Sequence, residues 1–215
     1  MGYYGNVRTD RLIRWNVQRT DGPAAPAVPL GDLKAQVRLT LAEIAEDDLI
    51  EQMGFAAEEA VEAELGAALL TQSWKLRLDA FPCWELRLPR PSVGKTGPSL
   101  SSVEQVAYVD PDGVTRVLDP ATYDVDSSSR PGAVRPGYGL VWPTTRDLPN
   151  AVTVAYVVGR ATADEVPAMV RAAIRLVVGD LYENRERSAA EAVRALDMYE
   201  RMMGEHRCVY EFNYR

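Results

Sequence analysis

Apolar residues recur at helical spacing near both ends of the chain and at alternating spacing in its middle. The segment 46–66 predicts a helix, because its apolar residues fall on one stripe when each residue advances by 100°: Ile50, Met53, Ala57, Ala60, Val61 and Leu65. A shorter helix is predicted from Gly31 to Leu39. From residue 71 to 160 the period changes to two, which predicts a small, mainly antiparallel β region with a tight turn at 110–113.

Helical spacing returns at Pro167, a residue type favoured in the first turn of a helix, and continues to about residue 185. A last helix is predicted from Ser188 to Gly204, because Ser188 and Glu191 form a capping box. We therefore expect an α+β fold, in which the helices of 31–66 and 167–204 form a small bundle and the β region 71–160 is inserted between them. This domain spans residues 30–204.

Both ends of the chain carry aromatic residues outside this domain. Residues 1–29 predict an extended arm, since they lack a sustained period and end in a proline-rich stretch. The large apolar side chains of the arm include Tyr3, Tyr4 and Trp15, and those of the tail 205–215 are Val209, Tyr210, Phe212 and Tyr214. Such side chains are costly to leave in water, so we expect them to pack against their own chain or a neighbouring one.

Phe55 stands on the acidic face of the predicted helix 46–66. That face carries Glu51, Glu58, Glu59 and Glu62, which predicts a solvated surface. An aromatic ring there indicates a contact with a protein partner. The alternative is a loop of the same chain that covers the ring. A second candidate motif, structural in kind, is an ion-pair network at a helix junction formed by Tyr182, Glu183, Asn184, Arg185 and Glu186.

The sequence offers no constellation of catalytic residues. The single histidine, His206, lies two residues from Cys208, and two ligands are too few for a zinc site. The segment 94–97 reads Gly-Lys-Thr-Gly, but the Walker pattern places its Lys after the second glycine. We therefore predict a protein that is not an enzyme and that binds neither metal nor cofactor.

The net charge and the hydropathy of the chain limit the kinds of partner that it can bind. A net charge of -7 and a pI of about 4.9 argue against a surface that grips nucleic acid, which requires Lys and Arg at the phosphates. No run of eighteen apolar residues is present, and the amino terminus lacks the basic and apolar regions of a secretion signal. We expect synthesis in the cytoplasm and no membrane partner.

Several stretches, taken in order, resemble one known family over about residues 30–190. They include Asp47-Asp-Leu-Ile50, Leu69-Leu-Thr-Gln-Ser-Trp74, Leu88-Pro-Arg-Pro91, Ala107-Tyr-Val-Asp-Pro-Asp-Gly113, Tyr123-Asp-Val-Asp126, Asn150-Ala-Val-Thr-Val-Ala-Tyr156, and the helix from Val166-Pro167 to Tyr182-Glu-Asn-Arg-Glu186. In these stretches the chain resembles the gp6-like head-tail connector proteins of tailed bacteriophages and prophages. The family usually begins close to its first helix, so the arm before Leu30 is a departure.

The resemblance implies an adaptor subunit of the virion, located at the head-tail junction. It implies a homo-oligomeric ring, expected to be a dodecamer, with the portal protein on one side and a stopper or tail-completion protein on the other. DNA would pass through the lumen without being read. By position, it also implies that Val209, Tyr210, Phe212 and Tyr214 reach the portal, and we hypothesise that the arm straps a neighbouring subunit.

Two alternatives stay open. The subunit could belong to a tail-completion or stopper ring, or to the equivalent part of a gene transfer particle. It could instead be a small ligand-binding domain or an enzyme, with a site formed by Arg90, Lys95 and acidic residues of the β region. A ligand-binding domain should have a concave polar pocket, whereas an adaptor should self-associate or bind portal.

Overall fold

The computed structural model describes residues 13–94 and 96–184. Within these ranges the helices are α1 (Leu30–Gln36), α2 (Asp47–Leu65) and α3 (Ala168–Glu183). The strands are β1 (Trp15–Asp21), β2 (Gln72–Leu78), β3 (Leu86–Arg87), β4 (Ser102–Val109), β5 (Thr115–Val117), β6 (Tyr123–Asp126), β7 (Ala133–Pro136) and β8 (Val152–Val158).

Two antiparallel sheets enclose one apolar core. The larger sheet has the order β1-β2-β8-β4-β5, and the smaller has the order β3-β7-β6. Alternate residues of β2 and β8, such as Leu76, Val154 and Tyr156, point into this core and are fully buried. They meet Leu86 and Val134 of the smaller sheet in one cluster.

The three helices form a second core at one end of the larger sheet. Ile50, Ala57 and Val61 of α2 pack with Ile174 and Val177 of α3, all of them fully buried. The spacing of these residues is that of an amphipathic helix, as the sequence predicts. α2 ends where Gly66 adopts a left-handed conformation with φ of 64°.

The helical end and the β end meet at the carboxyl end of β8. Thr71 donates a backbone hydrogen bond to the carbonyl of Arg160, and the Arg160 N–H donates to the carbonyl of Leu69. The Ser92 hydroxyl accepts the N–H of Gly159 at 2.8 Å. These bonds fix the chain between α2 and β2 to the chain that follows β8, so the two cores are joined by backbone contacts.

The α+β fold predicted from the sequence is confirmed, and so is the antiparallel pairing of its β region. The extended arm expected over residues 1–29 needs correction in its second half. Residues 15–21 form β1, which pairs with β2, and Ala27 and Val28 are buried in the helical core. β7 was not predicted. The helix expected at 188–204 lies outside the described residues.

Candidate protein interfaces

The solvent-facing side of α2 forms a continuous stripe. Residues at helical spacing are exposed along its length: Asp48, Glu51, Gln52, Phe55, Ala56, Glu59 and Ala63. Phe55 is 51% exposed, and Glu51 and Glu59 lie one turn before and one turn after it on the same face. We call this set the acidic stripe. It presents a large apolar group framed by carboxylates.

Phe55 is only partly covered by its own chain. Its ring borders a shallow pocket of about 190 Å³, whose other walls include Pro23, Leu69 and Leu70. Arg19 of β1 closes one side, with its guanidinium 3.3 Å from Glu59 and 3.5 Å from Glu62. One side of the ring therefore meets its own chain and the other meets solvent, where the contact with a protein partner stays a prediction.

Glu58 and Glu62 of α2 have structural roles. The Glu58 carboxylate accepts the N–H groups of Ala27 and Val28 at 2.8 and 3.1 Å. Glu62 accepts the N–H of Leu69 at 2.7 Å and the side-chain amide of Gln72 at 2.6 Å. The prediction that Glu58 belongs to a solvated face is wrong, because the chain after β1 covers it and leaves it 7% exposed.

Burial changes the titration of both carboxylates. Desolvation raises the pKa of Glu58 to about 7, with a smaller contribution from nearby Glu62, and the N–H groups of Val28 and Ala27 act in the opposite direction. Desolvation also raises the pKa of Glu62, against the hydrogen bonds from Leu69 and Gln72 and the charges of Arg19 and Arg90.

The Glu58→Gln variant should change how stability depends on pH. A carboxylate whose pKa is raised by folding stabilises the fold most below its unfolded pKa, so wild-type stability should fall as the pH rises from about 4.5 through 7. The amide oxygen of the introduced glutamine still accepts both N–H groups, and the amide does not ionise. Stability relative to wild type should therefore increase across this range, by up to roughly 3 kcal/mol.

Urea unfolding of both proteins at several pH values measures this difference. Glu51→Gln is the matched control, because Glu51 is exposed on the same helix. Parallel stability profiles for wild type and Glu58→Gln would contradict the prediction.

At the far end of the sheets, a concave apolar surface lies between two loops. It encloses about 610 Å³ and is lined by residues 83–85 and 135–142. Four of its apolar side chains are strongly exposed: Trp84 at 85%, Tyr138 at 105%, Leu140 at 50% and Val141 at 87%. We call this surface the aromatic cup. Trp142 forms its floor and stacks on Phe81 with ring centroids 4.6 Å apart.

Ion pairs lie at the rim of the aromatic cup. Glu85 accepts hydrogen bonds from Arg87 at 2.6 Å and from Arg135 at 2.9 Å. These two guanidinium groups hold the pKa of Glu85 below its ordinary value, with Arg87 contributing most. The cup was not predicted from the sequence. Its available signal was Trp84 together with the apolar run 140–142 inside glycine- and proline-rich segments, which would otherwise be expected to be polar.

Two arginines hold the residues on either side of position 95. Arg130 donates to the carbonyls of Ser92 at 2.8 Å and Gly97 at 2.9 Å. Arg160 is 8% exposed and donates to the carbonyl of Val93 through Nε at 2.8 Å, and to that of Thr96. Burial lowers the pKa of Arg160, and the neighbouring Arg130 adds to this effect. Their donors are used inside the protein.

The ligand site considered around Arg90 and Lys95 is not assembled among the described residues. Arg90 donates to the backbone carbonyl of Glu62 at 3.1 Å, and its guanidinium lies over the ring of Trp74 at 5.6 Å. Lys95 lies outside the described residues. Arg90 thus contacts the end of α2 and the start of β2, where its role is structural.

The remaining predicted site residues are dispersed. Trp15 begins β1 opposite Leu78 and is 39% exposed. Tyr182 donates its hydroxyl to Glu46 at 2.6 Å, which fixes the end of α3 to the start of α2. Glu183 is exposed, and Asn184 caps α3 by donating to the carbonyl of Asp180. The other candidates lie outside the described residues: Tyr3, Tyr4, Arg185, Glu186, Val209, Tyr210, Phe212 and Tyr214.

Residues 13–94 and 96–184 contain neither a metal-ligand cluster nor a membrane-spanning helix. No group of three or more His, Cys, Asp or Glu side chains is placed to hold a metal ion there. None of the helices in these ranges is long and apolar enough to cross a membrane.

The fold is similar to that of proteins in gene transfer agent (GTA) particles. A chain from the neck of an empty GTA particle, computed with C6 symmetry, has a TM-score of 0.72 and 20% identity, covering 92% of this chain and 97% of that one. A chain from the neck of a native GTA particle, computed with C12 symmetry, has a TM-score of 0.66 and 17% identity, with coverages of 92% and 97%.

A third structure, from the virion of the native GTA particle, has a TM-score of 0.65 and 19% identity, covering 91% of this chain and 97% of that one. No protein-family model and no curated protein sequence gives a significant match. The likeness therefore shows a shared α+β fold over nearly the whole of each chain.

Proposed function

We propose that this protein is a structural subunit of the neck of a phage-like particle, where it acts as a head-tail connector and forms a ring beneath the portal. The observation that carries the proposal is the similarity in fold to GTA neck proteins over 91–92% of the chain. Because similarity covers almost all of both chains, it extends beyond a single common motif. The role is structural, and we propose no catalytic activity.

The surface of the protein supports this role. The aromatic cup and Phe55 expose large apolar side chains at two distant places, and such patches are typical of interaction sites. A connector needs more than one contact surface, since it meets copies of itself within the ring and other proteins above and below it. We propose the portal protein and a stopper or tail-completion protein as those partners, with Val209, Tyr210, Phe212 and Tyr214 of the tail directed to the portal.

The charge of the protein fits a ring that lets DNA through. The chain has a net charge of -7, and DNA is held mainly by Lys and Arg at its phosphates. An acidic ring would repel the backbone and bind it weakly. We propose that DNA passes through the lumen without sequence-specific contacts, and that the ring is a dodecamer, as the C12 symmetry of one similar neck supports.

The proposal is tested by mixing the purified chain with the portal protein encoded by the same genome. We expect mass photometry to show a ring-sized species, either from the chain alone or only after portal is added. Portal-dependent assembly would indicate a templated ring. A chain that stays monomeric and ignores portal would contradict the connector role and favour the ligand-binding alternative.

The likeness to GTA structures favours one variant of this function. The particle that contains this chain could be a gene transfer agent, since the three similar structures described above come from such particles. The role of the subunit would be the same in both cases. Purifying particles that contain this chain and sequencing their DNA would distinguish a phage, which carries its own genome, from an agent that carries host DNA.

A further inference from the structure

The larger sheet has one face that packs against neither core. Alternation places Leu76, Val154 and Tyr156 on the buried face, so the residues between them point the other way. This open face is lined by Ser73, Lys75, Arg77, Gln105, Ala107, Thr153, Ala155 and Val157. None of these residues belongs to either apolar cluster.

The open face is apolar at its centre and basic on one side. Ala155 lies opposite Lys75, and Thr153 lies opposite Arg77, in register across β2 and β8. Val157 and Ala107 extend the surface of small side chains. Lys75 and Gln105 flank Ala155, which is only 8% exposed, so the accessible surface of this face is formed by these longer side chains together with Arg77.

The acidic stripe has the complementary charge. α2 contains seven carboxylates and neither Lys nor Arg: Asp47, Asp48, Glu51, Glu58, Glu59, Glu62 and Glu64. Within the described part of the chain, Glu51 and Lys75 take part in no ion pair. Each therefore has a charge that no residue in 13–94 or 96–184 pairs with.

The two surfaces point to different sides of one copy. Arg19 lies opposite Trp74 and reaches Glu59 of the stripe, whereas Gln18 lies opposite Lys75 on the other side of the same strands. One chain therefore cannot bring its own stripe onto its own open face. Two copies can do so head to tail, and a head-to-tail contact between different patches generates a closed ring when the rotation allows it.

We propose that neighbouring copies in the ring make this contact, with Phe55 of one copy against the stems of Lys75 and Arg77 of the next, whose charges face Glu51 and Glu59. The two carboxylates lie about 12 Å apart along the helix, and the two cations lie about 7 Å apart along the strand. The long flexible stems of Lys and Arg span this difference. The inference rests on the proposed ring and identifies its subunit interface.

The contact is tested by exchanging the charges of the two surfaces. The experiment uses the full chain, with portal added if portal is required for assembly. Glu51→Lys and Lys75→Glu should each weaken subunit association at least tenfold, because each puts like charges together across the interface. The variant with both substitutions restores opposite charges and should recover association to within about threefold of wild type. Phe55→Ala should also weaken association about tenfold or more, as an apolar anchor at the centre of the contact.

Asp124→Lys is the matched control, since Asp124 is exposed on β6 of the smaller sheet and the change in charge is the same as in Glu51→Lys. It should assemble like wild type. All substituted positions except Lys75 are exposed, and circular dichroism checks that each variant is folded.

Rings that form normally from both single variants, or no recovery in the double variant, would overturn this interface and leave the connector role intact. Failure of the wild type to form rings under any condition would overturn both.

Discussion

Replacing Gly159 with alanine is expected to leave little folded protein. Gly159 has φ of 106°, a left-handed conformation that favours glycine, and it follows the last residue of β8. A Cβ there would lie 1.9 Å from the carbonyl oxygen of Leu70 and 2.6 Å from the backbone N of Thr71. Both obstacles are backbone atoms, so no side-chain rotation relieves the clash. We expect a loss of more than about 4 kcal/mol in the free energy of unfolding.

Gly139→Ala separates the clash from the backbone conformation. Gly139 also has a positive φ, of 76°, but a Cβ added there would have no atom within 4 Å. Its alanine variant should lose only about 1 kcal/mol, which is the cost of the left-handed conformation. Urea unfolding followed by circular dichroism measures both variants. Equal stability of Gly159→Ala and Gly139→Ala would show that the contact between the two cores is looser than the structure has it.

The elements that the sequence predicted well are those with a long or regular pattern. α2 repeats its apolar spacing over about five turns, and all residues of β8 except Ala155 are strand-forming, so local physics alone indicates both elements. β1 was missed because it is an edge strand whose residues are mostly exposed. Val17 is partly buried and packs against the core of the sheets. What defines β1 is its pairing with β2, nearly sixty residues further along the chain, and spacing does not show that pairing.

The interfaces were less predictable than the fold. Phe55 could be singled out because an aromatic residue on an acidic face breaks the pattern of its helix. The aromatic cup needs Trp84 and Tyr138, which lie on loops more than fifty residues apart, and only the smaller sheet brings them together. Glu58 looks like its neighbour Glu59 in the sequence, yet one is buried and the other exposed because residues 27 and 28 cover one side of α2.

The separation of the helical core from the two sheets explains how the fold would serve the proposed connector role. The helical core carries the acidic stripe, while the sandwich of sheets carries the aromatic cup at its far end and the open face on its side. Gly159 and its backbone contacts join the two cores, so these surfaces are held at fixed positions relative to one another. Contacts at one end of a subunit therefore keep a fixed position relative to contacts at its other end. A ring held between two partners would require this.

Lys34→Met is expected to destabilise the helical core strongly. Lys34 lies on α1 with its side chain only 2% exposed, and its ammonium donates to Asp47 at 2.6 Å, to the carbonyl of Glu43 at 2.6 Å and to that of Leu41 at 3.3 Å. Methionine keeps the length of the side chain but leaves all three acceptors without this donor. Breaking a buried charge pair in this way should cost about 3 kcal/mol in the free energy of unfolding.

Lys75→Met provides the matched control, because it removes a charge from a less buried position and should change stability by less than about 0.5 kcal/mol in the unassembled chain. Adding Asp47→Asn to Lys34→Met should recover part of the lost stability, since it removes the carboxylate left without a counter-charge. Urea unfolding gives these energies, and limited proteolysis of the 38–46 loop reports the lost carbonyl contacts. A loss below about 1 kcal/mol in Lys34→Met, with no added cleavage, would mean that water replaces the ammonium group and that α1 and α2 hold together through their apolar contacts alone.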